Sequence, residues 1–330
     1  MKKNKNSCVV ITTIHEPKNN ALKEFSKLKN YDLVIAGDTK SPPKYNLQCE
    51  YVSFENQKQD FPSFFNLIPV KHYARKNFGY LHAIKQGYET IAESDDDNYP
   101  YSDWFTVPQK KSYRTIISPE YPNVYSHFTK NNIWPRGYPI EWLTKKNINI
   151  YKNAPADVLV WQGLVDGDPD VDAIYRLVIG EKITFAKNRT LVLEKNIVSA
   201  FNTQNTVWLK KAQYLMYLPF SVNFRYTDIL RSYIAQFGIW ALGGRLGFTS
   251  PTALQKRNDH NLLHDFEDEV QMHTLFYTVM ETLRKCKLEG KPTDLITMYE
   301  ALYKVKVVSR KELTAVREWI RLYNSYAKQQ

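Results

Sequence analysis

The chain has 330 residues, 43% of them hydrophobic and 14% aromatic, and a formal net charge of +11. That supports a large core, as one big domain or two small ones, and excludes a membrane span, since no run of about 18 apolar residues exists. The positive excess points to anionic partners. With no zinc-finger spacing and no RNP-type strand, phosphate-bearing small substrates and a membrane face rank above nucleic acid.

Three widely separated cysteines, Cys8, Cys49 and Cys286, read as reduced thiols in a cytoplasmic setting without zinc spacing. The basic start is followed by too short an apolar run for a secretory signal. Residues 8–14 (CVVITTI) are continuous, apolar and β-branched, as in a strand buried on both faces of a parallel sheet. A short helix with Leu22, Phe25 and Leu28 on one face comes next, then a second buried strand, 32–38, closed by Gly37-Asp38, and a third at 49–54. From about Asn77 to Glu89 the spacing of Phe78, Leu81, Ile84 and Tyr88 predicts a helix. An extended run at 90–92 then leads into Asp95-Asp96-Asp97.

Alternating strands and helices over the first hundred residues predict a doubly wound α/β layer, which binds ligands beyond the carboxyl ends of its strands. Thr12, Thr13, Asp38 and the aspartate triplet fall on that rim. Residues 99–175 read as long loops with short strands. Strand-like pieces return at 183–185, 190–193 and 207–209, and Thr227 is placed to cap a helix with Ile229, Leu230, Tyr233, Ile234, Phe237 and Trp240 inward. The rest is helical: one helix carries Met272, Leu275, Phe276, Val279, Met280 and Leu283, and the last opens with a capping box, Ser309 to Glu312. Residues 282–330 hold eleven Lys/Arg against five Asp/Glu.

Three adjacent carboxylates repel one another. A solvated acidic turn accounts for most such triplets, whereas a divalent cation accounts for one at a strand end facing phosphate-friendly groups. Alternation places Asp95 and Asp97 on one side as metal ligands and turns Asp96 toward ribose or sugar hydroxyls. Arg75 and Lys76 precede a helix N-terminus suited to anions, with Asn77 beside them and Gly79 free of a Cβ for close backbone approach. The bland alternative is solvated surface cations. For Thr12, Thr13 and Asp38, base and ribose contacts stand beside ordinary strand-end hydrogen bonding.

The first hundred residues resemble a GT-A nucleotide-sugar domain, whose Asp-x-Asp holds a cation on a sugar diphosphate. Residues 9–14 (VVITTI), 37–40 (GDTK), 75–79 (RKNFG), 95–98 (DDDN), 169–176 (PDVDAIYR), 228–231 (DILR) and 255–260 (QKRNDH) more specifically resemble the STELLO family of glycosyltransferases, from about residue 8 to 270. A weaker resemblance, through the triplet, 136–139 (RGYP), 169–172 (PDVD) and 225–228 (RYTD), is to the reversibly glycosylated polypeptides, or UDP-arabinopyranose mutases.

These resemblances imply a GT-A-like α/β core over 1–270, with a nucleotide-binding half of about 1–110 and an acceptor half of about 111–270. A C-terminal helical extension covers 271–330. They imply Mn2+ or Mg2+ as cofactor and transfer from a nucleotide sugar, with UDP the expected nucleotide, to a glycan or lipid-linked acceptor. The basic tail would then lie near a membrane face. Asp228 becomes the candidate general base or acceptor-side carboxylate, and His260 a third metal ligand. The mutase likeness maps its self-glycosylated arginine onto Arg136. Asp168, Asp170 and Asp172 are acceptor-side or structural. The rivals are a pyranose/furanose mutase and a basic, non-catalytic binding module.

Overall fold

The computed structural model describes residues 6–16, 21–102, 104–145, 148–181, 183–256 and 261–328. In chain order the first elements are β1 (Ser7–Thr12), α1 (Ala21–Ser26), β2 (Asp32–Ala36), β3 (Glu50–Val52), α2 (Phe54–Asp60), α3 (Pro62–Phe65), α4 (Lys76–Gln86), β4 (Thr90–Ser94) and β5 (Asn98–Pro100). Then come β6 (Tyr113–Ser118), β7 (Ile150–Ala154), β8 (Val158–Asp166), α5 (Ala173–Val178), β9 (Thr190–Leu193), β10 (Asn205–Leu209), α6 (Thr227–Ala241) and β11 (Arg245–Gln255). Helices α7 (Leu262–Arg284), α8 (Thr293–Lys304) and α9 (Arg310–Ala327) complete the chain.

One mixed sheet runs in the order β3-β2-β1-β4-β10-β8-β11-β9-β6-β7, with β5 on β11. Strands β3, β2, β1 and β4 are parallel and form the expected doubly wound half. Strand β1 is fully buried from Cys8 to Ile11, because helices and loops cover both of its faces. Helix α4 ends three residues before the expected boundary. Gly87 adopts φ 84° and donates its N–H to Ala83 O and Ile84 O, so the chain turns there and Tyr88 leaves the helix.

The second half differs more from expectation. Strand β10 runs antiparallel between β4 and β8, which brings residues 202–204 against the end of β4. Where loops with short strands were expected, β8 is a nine-residue strand with eight consecutive buried positions. It pairs in parallel with the 11-residue β11, which periodicity does not reveal. Gly247 and Pro251 hide β11 as a strand. Gly247 is required because a Cβ there would meet the Trp161 ring at 2.5 Å. Of the piece at 183–185, only Ile183 makes an isolated bridge, to Gly167. Thr227 is the first residue of α6, not its cap, and its buried hydroxyl has no partner among the described residues.

Helices α7–α9 contribute Met272, Phe276, Met298, Val316 and Trp319 to the same apolar core as α4 and α6. Ser309 Oγ accepts from Glu312 N at 3.2 Å, but the expected capping box does not close. The Glu312 carboxylate is buried and accepts instead from Tyr217 OH, from Phe220 N at 2.8 Å and from Ser221 N at 2.7 Å. It thus ties α9 to the loop before α6. Among the described residues no helix is long and apolar enough to cross a membrane.

Candidate active site

The triplet lies just past β4, in the turn leading to β5, so its three carboxylates diverge and do not alternate along a strand. Asp95 Oδ1 accepts from Lys76 Nζ at 3.2 Å and from Tyr73 OH at 3.3 Å. Asp96 Oδ2 accepts from Thr13 Oγ1 at 2.5 Å. Asp97 Oδ2 accepts from Gln255 Nε2 at 3.0 Å, while its buried Oδ1 has no partner among the described residues. Burial pushes the Asp97 carboxyl up to about 7, and the neighbouring charge of Asp95 adds to the rise. Asp95 is also raised by burial; Lys76 opposes the shift, while Asp228 and Asp96 add to it.

The cations before the triplet do not face a phosphate, which corrects the expectation for Arg75 and Lys76. Arg75 is fully buried, with its guanidinium 5.0, 4.7 and 4.3 Å from the ring centroids of Phe54, Phe65 and Phe78. It donates to Gln57 and to Ile68 O. An apolar cage closed by backbone acceptors can hold such a charge, which is then unavailable to a ligand. Lys76 points inward, donating to Ser94 O at 2.6 Å, to Asp95 and to Thr203 O at 3.4 Å. It is a counter-charge to the triplet. Asn77 pairs with Leu218 through both side-chain atoms, each at 2.8 Å. Gly79 serves helix–sheet packing, because a Cβ would sit 2.5 Å from Val10 Cγ1.

The expected rim residues do converge. A cavity of about 360 Å³ is lined by Thr12, Thr13, Asp38, His72, Asp96 and Phe224, among others. Thr12 Oγ1 donates to Ala36 O at 3.0 Å, so its hydroxyl is partly engaged in the sheet. Asp38 accepts from Thr39 N at 2.6 Å and from His72 N at 3.2 Å, which fixes both oxygens at the cavity wall. Phe224 is 54% exposed and stands 5.9 Å, centroid to centroid, from both the His72 and Tyr73 rings. Sequence reading missed His72, Tyr73 and Phe224; the only available signal was an apolar residue opening an otherwise polar turn.

A second carboxylate cluster forms around Arg136. Its Nε and Nη2 donate to Asp170 at 2.8 and 3.0 Å, and its Nη1 and Nη2 donate to Asp228 at 2.9 and 2.8 Å. Nη1 also reaches Arg225 O. All five guanidinium N–H groups therefore have an acceptor. Burial opposes the arginine's charge, but the two carboxylates outweigh it and raise its pKa well above the ordinary value. Nucleophilic attack needs a free, deprotonated nitrogen, so this geometry is contrary to self-glycosylation at Arg136. Burial would raise Asp170, yet Arg136 holds it down at about 2. The remaining aspartates of that loop have other duties. Asp168 pairs with Arg176, and Asp172 caps α5 through Tyr175 N at 2.8 Å while accepting from Trp134 Nε1 at 2.7 Å.

The two clusters are joined from behind by Glu93 and Arg231, which the charge pattern did not single out. Their bidentate pair, 2.8 Å at both contacts, is fully buried and clamps α6 to β4 one residue before Ser94. Trp208 Nε1 at 2.8 Å and Tyr80 OH complete the Glu93 shell. Arg231 also donates to Asn202 O at 3.2 Å, and Asn202 Nδ2 donates to Asp170 at 2.7 Å. His260, the expected third metal ligand, lies outside the described residues. Among the described residues no group of three His, Cys, Asp or Glu side chains could hold a metal. Asp97 Oδ1 nevertheless fits a cation, as a buried carboxylate oxygen without a donor. Hard divalent ions are often held by one or two carboxylates, with water and substrate phosphates completing the shell.

No family model matches the chain. It is similar to STELLO2 of Arabidopsis thaliana, described as a probable glycosyltransferase, with 27% identity over 289 residues, 80% of this chain and 37% of that protein. STELLO1 of the same plant, with the same description, is 26% identical over 287 residues, again 80% of this chain and 37% of that protein. The likeness read from the motifs is thus a likeness over most of the chain, and the chain spans little more than a third of the length of these relatives. Among solved structures, S. aureus TarS 1–349 in complex with UDP-GlcNAc covers 98% of this chain and 92% of its own, with a TM-score of 0.38 and 13% identity.

Proposed function

We propose that the chain is a metal-dependent glycosyltransferase that moves a sugar from a nucleotide-diphosphate sugar, with UDP as the nucleotide, to a hydroxyl of a glycan or lipid-linked acceptor. The observation that carries this reading is Asp97 Oδ1, buried and without a partner among the described residues, beside Asp95 and next to the cavity walled by Thr12, Thr13, Asp38 and Asp96. The similarity to two proteins described as glycosyltransferases supports it.

Asp95 and Asp97 would hold Mn2+ or Mg2+, which when bound neutralises the departing diphosphate. The chain's own residues do the rest. Thr13 and Asp38 hold the nucleoside through the polar edge of the cavity, and Phe224 covers it with a ring face. Lys76, from within, opposes the rise that burial imposes on the Asp95 carboxyl. Asp228, fixed by Arg136, orients the acceptor hydroxyl and accepts its hydrogen bond as the glycosidic bond forms. Arg136 is a positioning residue, since its N–H groups all face protein acceptors. The test is a thermal-shift screen of UDP and UDP-sugars with and without Mn2+, followed by donor hydrolysis. Nucleotide stabilisation that needs Mn2+ and disappears in Asp95→Asn and Asp97→Asn supports the reading. Stabilisation indifferent to Mn2+ and to both substitutions sinks it.

A further inference from the structure

Away from the aspartates, two adjoining hollows of about 720 and 580 Å³ form one groove, sharing Lys110, Asn188, Arg189 and Thr190 in their walls. Four exposed cations, Lys110, Arg114, Lys187 and Arg189, line the groove, and among the described residues no carboxylate does. Lys187 is paired with Asp166 Oδ2 at 2.8 Å. The other three have no carboxylate partner among the described residues. Lys110 Nζ donates to Thr190 Oγ1 at 2.9 Å, Arg189 donates to His127 O at 2.6 Å, and Arg114 lies 4.0 Å from the Tyr151 ring centroid. Their summed field is felt by His127, whose pKa is pushed down to about 4 by burial and by Arg114 and Arg189. Between the cations the walls are hydroxyl- and amide-bearing, through Ser102, Asn188, Thr190, Ser250 and Thr252.

We propose that this groove binds an anionic glycan chain. Concave walls rich in hydroxyl and amide groups match sugar hydroxyls, and unneutralised guanidinium and ammonium groups match acid groups carried along the chain. A bilayer surface would ask for a projecting apolar rim, which these walls lack. Single-stranded nucleic acid would ask for open ring faces, whereas the Tyr101 and Tyr151 rings are overlain by Lys187 and Arg114. Tyr101 lines the groove, and its N–H donates to Thr252 O at 2.9 Å. It follows Asp97 by four positions in the chain, a reach of at most about 14 Å. A chain in the groove can therefore present its end at the triplet. That last point rests on the transfer reading; the binding itself does not.

The experiment measures fluorescence anisotropy of a labelled heparin-derived octasaccharide with the full chain, without nucleotide or metal. Saturable binding that weakens with salt, that a neutral dextran octasaccharide does not reproduce, and that Lys110→Ala/Arg114→Ala/Arg189→Ala weakens at least tenfold supports the proposal. A control with the same loss of charge on the C-terminal helices, Lys285→Ala/Lys304→Ala/Lys311→Ala, must bind within twofold of the unsubstituted protein. Equal loss in both triple variants, no binding at all, or stronger binding of a thymidine dodecamer or of phosphatidylglycerol vesicles overturns it. Because Mn2+-dependent nucleotide binding is measured separately, failure here leaves the transfer reading standing, and the reverse also holds.

Discussion

Two carboxylate clusters face each other across the site, and they are balanced in opposite ways. Around Asp95–Asp97 the ammonium of Lys76 pairs with Asp95, and Asp97 is raised to about 7 with one oxygen that has no partner among the described residues. Around Arg136 a single guanidinium saturates two carboxylates and holds Asp170 at about 2. Among the described residues the first cluster leaves a carboxylate oxygen open and the second is complete. A site that must receive a cation with its substrate has to leave carboxylates unsatisfied, whereas a site that must only hold a shape is best closed on itself. On the proposed reading, binding falls to the first cluster and positioning to the second.

That contrast can be broken most sharply by chemistry. Asp95→Asn/Asp97→Asn is expected to lower donor turnover by about 10²–10⁴-fold, the several kcal/mol that a metal-held diphosphate contributes, with folding intact by circular dichroism. Equal turnover in the double variant would collapse the distinction. On the complete side the effect is on stability. Arg136→Ala leaves Asp170 and Asp228 buried without a counter-charge and should cost about 3–5 kcal/mol in urea unfolding.

The deficient side should behave in the reverse sense. The folded Asp97 carboxyl titrates near 7 against an ordinary value of 3.8, so the folded state binds the proton more tightly than the unfolded chain. Its favourable contribution is complete below the unfolded value and is lost as pH rises through 7. Asp97→Asn should therefore leave stability unchanged at pH 4 and raise it by about 2–4 kcal/mol at pH 8, at roughly 1.4 kcal/mol per pKa unit. Saturating Mn2+ should remove that advantage by stabilising only the unsubstituted protein. The same pKa predicts Mn2+ affinity that climbs toward pH 7 and flattens above it, measurable by calorimetric titration. The smallest effect is expected at Phe224. Being half exposed, its change to alanine should leave the melting temperature in place and weaken nucleotide binding about 3–10-fold, the order of one aromatic contact.

Much of the N-terminal half was legible. The strands β1, β2 and β4, the helix α4 between them and the rim shared by Thr13, Asp38 and Asp96 follow from local apolar runs and from the rule that ligands sit at strand carboxyl ends. Arg75 and Lys76 were misread for a definite reason. A cation before a helix shows charge but not direction, and direction here is decided by Phe54, Phe65 and Phe78 closing around one residue and by Ser94 and Thr203 accepting from the other. The part of the sheet beyond β4 was much less legible. Strand β11 contains Gly247 and Pro251, and β8 contains Gln162 and Gly163; each weakens a strand signal. What compensates lies far away in sequence: Trp161 fills the space above Gly247, and the Gln162 amide is satisfied by Asn202, Asn205 and Thr206.

By itself, then, the sequence determined the parallel α/β layer, the position of the aspartate triplet at its rim and the helical character of the C-terminus, because each depends on contacts between near neighbours in the chain. Only the tertiary structure decided which charges meet. Arg136 lies 34 residues from Asp170 and 92 from Asp228, and Glu93 lies 138 from Arg231. Burial then sets how strongly each pair interacts. No local pattern encodes such partners, and the oxygen of Asp97 that has no partner among the described residues is visible only in the folded chain.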